Sequence, residues 1–293
     1  MIRYLITLDE LKVLIGKDWL RKAKTRTTKF RNKGYFDEKS SIWSEIKPIY
    51  MKLQGESKCA FCERKLESEE YGKGEQDVEH FRPKKGVKTW KVPDELVPLA
   101  IPFGAITEID KGYHLLSYHP FNYSASCKPC NSVLKGNYFP IAGTYELTSE
   151  DPVALLSEQA YIIYPIGDFD DDPEELIEFY GIFPYSKVDD GFKHQKALIT
   201  INFFGLNDVN NRKNLFRERG LIILALYPLL KTVEGNVQGV LDKTTAQELI
   251  DLAISSKAPH SNCARSYVKL FKKSPANAEE LFFKIKDLIL SIS

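Results

Sequence analysis

A chain of 293 residues with 43% apolar and 28% charged side chains can bury a substantial core, which excludes wholesale disorder. Its longest uninterrupted apolar run, Leu221 to Leu230, is about half of the roughly 20 residues that cross a bilayer and contains Pro228, so no transmembrane helix is expected. Asp9, Glu10 and Lys12 interrupt what would have to be the apolar stretch of a signal peptide, and no small-residue cleavage site follows; a cytoplasmic protein with reduced thiols is expected.

Leu5 to Ile15 and Trp43 to Leu53 carry apolar residues at helical spacing, so residues 1–55 read as an N-terminal helical, basic segment. The formal net charge of +1 averages two biased regions. One of them lies in this segment: Lys17, Arg21, Lys22, Lys24, Arg26, Lys29, Arg31 and Lys33 face only Asp18. Interleaved with or just after them are Trp19, Phe30, Tyr35 and Trp43, which suit either a helix packed on the core or a surface that tracks phosphates.

Over residues 56–145 the helical periodicity gives way to cysteine pairs, prolines, glycines and aromatics, the texture of a small metal-organised module. Residues 146–293 form a C-terminal region, a short hairpin and then helices. The hairpin is placed between Ala160 to Pro165 and a second strand-like run at 177–184, around an acidic stretch from Asp168 to Glu178 that reads as solvated surface. From Phe192 onward the pattern is helical, with Thr245 and Glu248 spaced as a capping box and Ser274 with Pro275 marking a further helix start. No internal repeat appears, and no Gly-rich phosphate loop, so any ATP-driven step belongs to a partner.

The chemistry concentrates in the middle module. Cys59 and Cys62 form one CxxC pair, Cys127 and Cys130 a second. Two-residue spacing lets both sulfurs of a pair turn toward one ion, and four thiolates close a tetrahedral zinc shell with no position left for substrate, so this zinc is structural. Cys263, left over, is expected to be a core thiol of a helix. Between the pairs lies Val78-Glu79-His80-Phe81-Arg82-Pro83-Lys84-Lys85, and Asn122 and Asn131 flank or follow the second pair.

In that order of His, Asn and Asn around a zinc site, the sequence resembles the HNH, or ββα-metal, nucleases. More narrowly, CAFCERKL, VEHFRPKK, GYHLLSYHPFN, SCKPCNSVLKGNYFP and FFGLNDVNNR look like the PtuB-type HNH proteins of Septu and retron-associated defence systems. The resemblance implies an α+β fold: a ββα-metal core with its four-cysteine zinc site, set between the N-terminal helical segment and the mainly helical C-terminal region. It implies His80 as general base, Glu79 and Asn131 as ligands of a catalytic Mg²⁺ or Mn²⁺, and Asn122 as the residue that holds the histidine loop. It also implies an ATPase partner of the PtuA kind.

Histidine and a hard cation together supply what phosphodiester cleavage needs. An imidazole titrating near neutrality takes the proton of the attacking water, and a divalent ion held by few oxygen ligands stabilises charge at the leaving oxygen. Arg82, Lys84, Lys85, Lys88 and Lys135 are candidates for contact with nucleic acid, DNA ahead of RNA. His114 is expected to pack structurally, while His119 is left between packing and site. The alternatives are a non-catalytic zinc module that binds nucleic acid or protein, and an HNH nuclease acting on RNA.

Overall fold

The computed structural model describes residues 1–68, 70–72, 74–105, 111–235 and 241–291, and combines helices with two small antiparallel sheets, an α+β architecture. Helix α1 (Leu8–Ile15) starts where Thr7 accepts from the Glu10 amide and Glu10 reaches back to the Thr7 amide, two reciprocal bonds that satisfy N–H groups a helix start leaves open. Gly16 separates it from α2 (Lys17–Lys33), which holds the whole basic stretch. Trp19, Ala23 and Phe30 bury one face of α2, so the aromatics serve packing. On its other face Lys22, Arg26, Arg31 and Lys33 pair with Glu45, Glu38, Glu150 and Asp37. Helix α3 (Lys47–Leu53) follows a 3₁₀ turn at Trp43–Ile46.

Strand β1 (Gln76–His80) pairs antiparallel with β2 (Tyr123–Cys127), in a register that sets His80 opposite Tyr123 and Glu79 opposite Ser124. Residues 81–122 connect them as a long excursion. After β2 the chain enters a helical turn of π type, Pro129–Lys135. A second ribbon joins β3 (Ile177–Tyr180), reached through the short α4 (Pro173–Leu176), to β4 (Phe183–Ser186). The expected hairpin therefore sits one run later than its sequence placement: Ala160 meets Ile141 and Ile166 meets Tyr4 only as isolated bridges, while 177–186 supplies both strands, turning at Gly181 with φ of +62°.

The C-terminal layer comprises α5 (Gly191–Phe203), α6 (Lys213–Glu234), α7 (Lys243–Ile254), α8 (Ser261–Lys273) and α9 (Pro275–Ser291). Asp242 caps α7 by accepting from the Thr245 amide, which replaces the box expected of Thr245 and Glu248; Thr245 is already inside the helix. Cys263 lies buried in α8, as its spacing implied, and donates to the Gly181 carbonyl at 3.3 Å. One apolar cluster runs from Met1 to Ile289 and takes in the four paired cysteines, so the cysteine-bearing segment rests directly on the helical layer. Among the described residues no helix is long and apolar enough to cross a membrane.

Candidate active site and four-cysteine centre

Two tight turns bring the cysteines together. Cys59 and Cys62 belong to a turn closed by the Glu63 amide donating to the Cys59 carbonyl, and the Ala60 amide ties that turn to β2 at Ala125. Cys127 ends β2 and Cys130 lies in the π turn. All four are buried, none forms a disulfide, and their sulfurs lie within 4.8 Å of one another, Cys62 and Cys127 at 3.7 Å. Sulfurs about 2.3 Å from a tetrahedral ion are spaced at about 3.8 Å, so the cluster fits a metal such as zinc. Burial raises the cost of charge on Cys62, but hydrogen bonds from Cys127 and Cys130 win and bring its thiol down to about 7. The first pair in turn pushes the Cys127 and Cys130 thiols up, so protons stay on the second pair and a bound metal would displace them.

Beside this centre opens a cleft of about 480 Å³ lined by Trp43, Asp77, Glu79, His80, Lys84 and Asn131, among others. The ring of His80 stands edge-on to Trp43 and Tyr123, with centroids 4.8 and 4.9 Å away. Its Nε2 lies 3.2 Å from the Ser117 carbonyl and its Nδ1 3.3 Å from Lys84 Nζ. Burial, then the Lys84 charge, holds His80 well below the ordinary imidazole range, so the ring is neutral at pH 7. Burial also brings the Lys84 ammonium down to about 8, and the group sits 4.5 Å above the Trp43 ring.

Asn122 stands one residue before β2 and bridges the chain that leaves β1. Its Oδ1 accepts from the Arg82 amide at 2.7 Å, and its Nδ2 donates to the Arg82 and Leu116 carbonyls at 3.1 Å each. These bonds fix the backbone two residues past His80. Glu79 is buried, and its carboxylate meets Lys135 Nζ at 2.6 Å; burial raises its pKa, against the pull of Lys135.

Two residues expected at a nucleic-acid surface point inward instead. Arg82 lies buried, paired with Glu158 at 3.1 Å, donating to the Leu155 carbonyl and packed on the rings of Phe81, Tyr113 and Phe139. Lys135 is wholly buried and donates to the His80 carbonyl at 2.8 Å as well as to Glu79. In both cases a buried acid draws the cation inward, because leaving either charge unpaired there costs several kcal/mol. Lys85 and Lys88 keep exposed side chains, and Lys84 borders the cleft. His114 is packed inside; His119 caps a 3₁₀ turn, accepting at Nδ1 from the Phe121 amide.

Asp77 was missed by sequence reasoning. It lies two residues before Glu79 on the same strand face and lines the cleft, and the period of two along β1 was the signal that would have found it. Ser117 had no signal, since it acts through its carbonyl.

No family model matches the chain, and no solved structure matches it. Over 155 residues, 53% of its length, it is 29% identical to the Septu protein PtuB of Bacillus mycoides (strain KBAB4). The chain is similar to a Septu PtuB protein. That match supports a relation to the PtuB type and spans 43% of the PtuB relative, less than half its length.

Proposed function

We propose that this protein is a metal-dependent HNH endonuclease that hydrolyses phosphodiester bonds in DNA, acting in the cytoplasm as the nuclease of an anti-phage defence system with a PtuA-like ATPase partner. The observation that carries the reading is a neutral, buried His80 with one nitrogen tied to the Ser117 carbonyl, at a cleft that also holds Glu79, Asp77 and Asn131. The PtuB similarity supports the defence role and the partner.

With Nε2–H donating to Ser117, the lone pair of His80 is on Nδ1. Lys84 Nζ lies 3.3 Å from that nitrogen; once Lys84 turns to the phosphate, Nδ1 accepts the proton of the attacking water, while edge contacts with Trp43 and Tyr123 hold the ring. Glu79 and Asn131, with Asp77 nearby, offer the oxygen donors that a hard divalent ion prefers, and would hold Mg²⁺ or Mn²⁺. Such an ion supplies charge stabilisation at the leaving oxygen. Lys135 engages Glu79 Oε1, so Oε2 is the oxygen we assign to the ion. Lys84 is the cation next to the base, and Lys85 and Lys88 continue an exposed basic edge for the phosphate backbone. In this reading β1, β2 and the π turn at Pro129–Lys135 are the ββα unit.

Purified metal-loaded protein is to be tested on linear, supercoiled and single-stranded DNA and on RNA with Mg²⁺ or Mn²⁺, alone and with the ATPase partner. Wild-type cutting that His80→Ala abolishes is the expected outcome. Undiminished cutting by His80→Ala, or no cutting with the partner present, would sink the proposal and leave a non-catalytic zinc module. Cleavage confined to RNA would replace DNA as substrate.

A further inference from the structure

Among the described residues, Arg212 and Arg219 carry no ion pair to a carboxylate. Arg212, at the start of α6, donates through Nη1 to the Phe204 carbonyl at 2.7 Å, and both Nη1 and Nη2 lie 3.8 Å from Cys130 Sγ. The nearest acid in sequence, Asp208, is turned to Asn211, whose amide and side chain it accepts. Arg219, about two turns further along α6, is 1% exposed. It donates to the carbonyls of Ile182 and Leu206, its Nε has no partner, and its guanidinium faces the rings of Phe179 and Phe216. Among the described residues neither arginine is ion-paired to a carboxylate, whereas Arg64 on the cysteine turn is matched by Glu218 at 3.1 Å.

Burying a cation without a counter-charge costs several kcal/mol, and Arg212, half-buried, bears part of that cost unless an anion meets it. A divalent ion in four thiolates is one: four negative charges against two positive leave a dianion, buried with its sulfurs. Arg212 reaches one of those sulfurs, with both Nη1 and Nη2 at 3.8 Å from Cys130 Sγ. The segment 203–212 that delivers Arg212 is itself clamped on the centre, since the Phe204 ring stacks on Phe61, inside the first cysteine pair, at 4.1 Å and 14°.

We infer that Arg212 is a positioning residue for the cysteine-bound metal, supplying one of the two positive charges that would offset the metal-tetrathiolate dianion. The inference rests on a metal at the cysteines and is independent of the nuclease reading. It gives the FFGLNDVNNR string a purpose: a strap that closes over the metal and neutralises it. Without Arg212 the thiolates become more electron-rich and easier to protonate, and the metal leaves faster.

The test uses the full chain loaded with zinc, or with cobalt(II) as a spectroscopic stand-in, comparing wild type with Arg212→Gln and Arg212→Lys. Zinc release to a chromogenic chelator should be about 10- to 100-fold faster in Arg212→Gln, with Arg212→Lys between it and wild type. The thiolate-to-cobalt charge-transfer band should move to lower energy in Arg212→Gln and much less in Arg212→Lys. A merely structural role would lower the melting temperature and leave that band where it is. An unmoved band with release within about two-fold of wild type overturns the inference. If Arg212→Gln does not fold, Arg212→Lys decides: faster release supports the inference, and wild-type release overturns it.

Discussion

Asn122 and His119 lie three residues apart, and each makes a separate prediction. Asn122 is buried and makes three bonds to backbone that no other side chain replaces. Asn122→Ala leaves the Arg82 amide and carbonyl unpaired in the interior, while the Leu116 carbonyl keeps the His119 amide, so a stability loss of about 2–3 kcal/mol is expected, read as a lower urea midpoint. Cleavage should fall at least about tenfold with it, since the freed loop no longer fixes His80; unchanged midpoint and rate would show that the loop holds itself. His119 concerns proton binding. Burial, opposed by the Asp151 charge and aided by Lys12, brings its imidazole from 6.5 to about 4, and its Nδ1 is an acceptor for Phe121. Between those two values the unfolded ring binds the proton and the folded ring does not. Stability is therefore intact above pH 6.5 and is lost as pH falls toward 4, by up to about 3 kcal/mol. Denaturant midpoints from pH 7 to 4 should fall less for His119→Gln than for wild type; parallel curves would remove His119 from the acid response.

At the scale of elements, what the sequence made legible was whatever local chemistry alone decides. The CxxC turns, the α1 and α3 periodicity and the Ser274-Pro275 helix start all depend on neighbours in the chain, and all appear. The burial of Arg82 and Lys135 and the cleft position of Asp77 depend on which distant segment arrives: Glu158 for Arg82, Glu79 for Lys135, β2 for the strand carrying Asp77. A basic residue reads the same in sequence whether an acid 76 positions away claims it or not. One close approach between loops is testable. Gly112 has φ of +53°, and a Cβ there would lie 2.3 Å from the Lys85 carbonyl oxygen and 2.7 Å from that of Pro83. Backbone cannot yield as a side-chain tip does, so Gly112→Ala should cost more than about 2 kcal/mol and displace the loop bearing Lys84 and Lys85. A melting temperature equal to wild type would contradict that packing.

Across the whole molecule, the cysteine centre and the C-terminal helices share their supports. Lys58, buried beside Cys59, donates to the Ala258 carbonyl and to Ser261 Oγ at the start of α8. From the other direction, the His260 amide donates to the Glu63 carbonyl just past Cys62, and Lys58 lies 3.8 Å from Glu63. Removing a metal bound there would release four thiols from one point and leave these bonds on a turn with no anchor. Free energy of metal binding is free energy of folding wherever the apo site cannot hold its shape. Chelation under reducing conditions should therefore lower the melting temperature by roughly 10 °C or more. Hydrogen exchange should accelerate not only around Cys59 and Cys130 but also in the first turns of α8, more than 130 residues from the second cysteine pair. Protection retained in α8 while the cysteine turns open would mean that the helices fold as a unit of their own, with the metal serving the site alone.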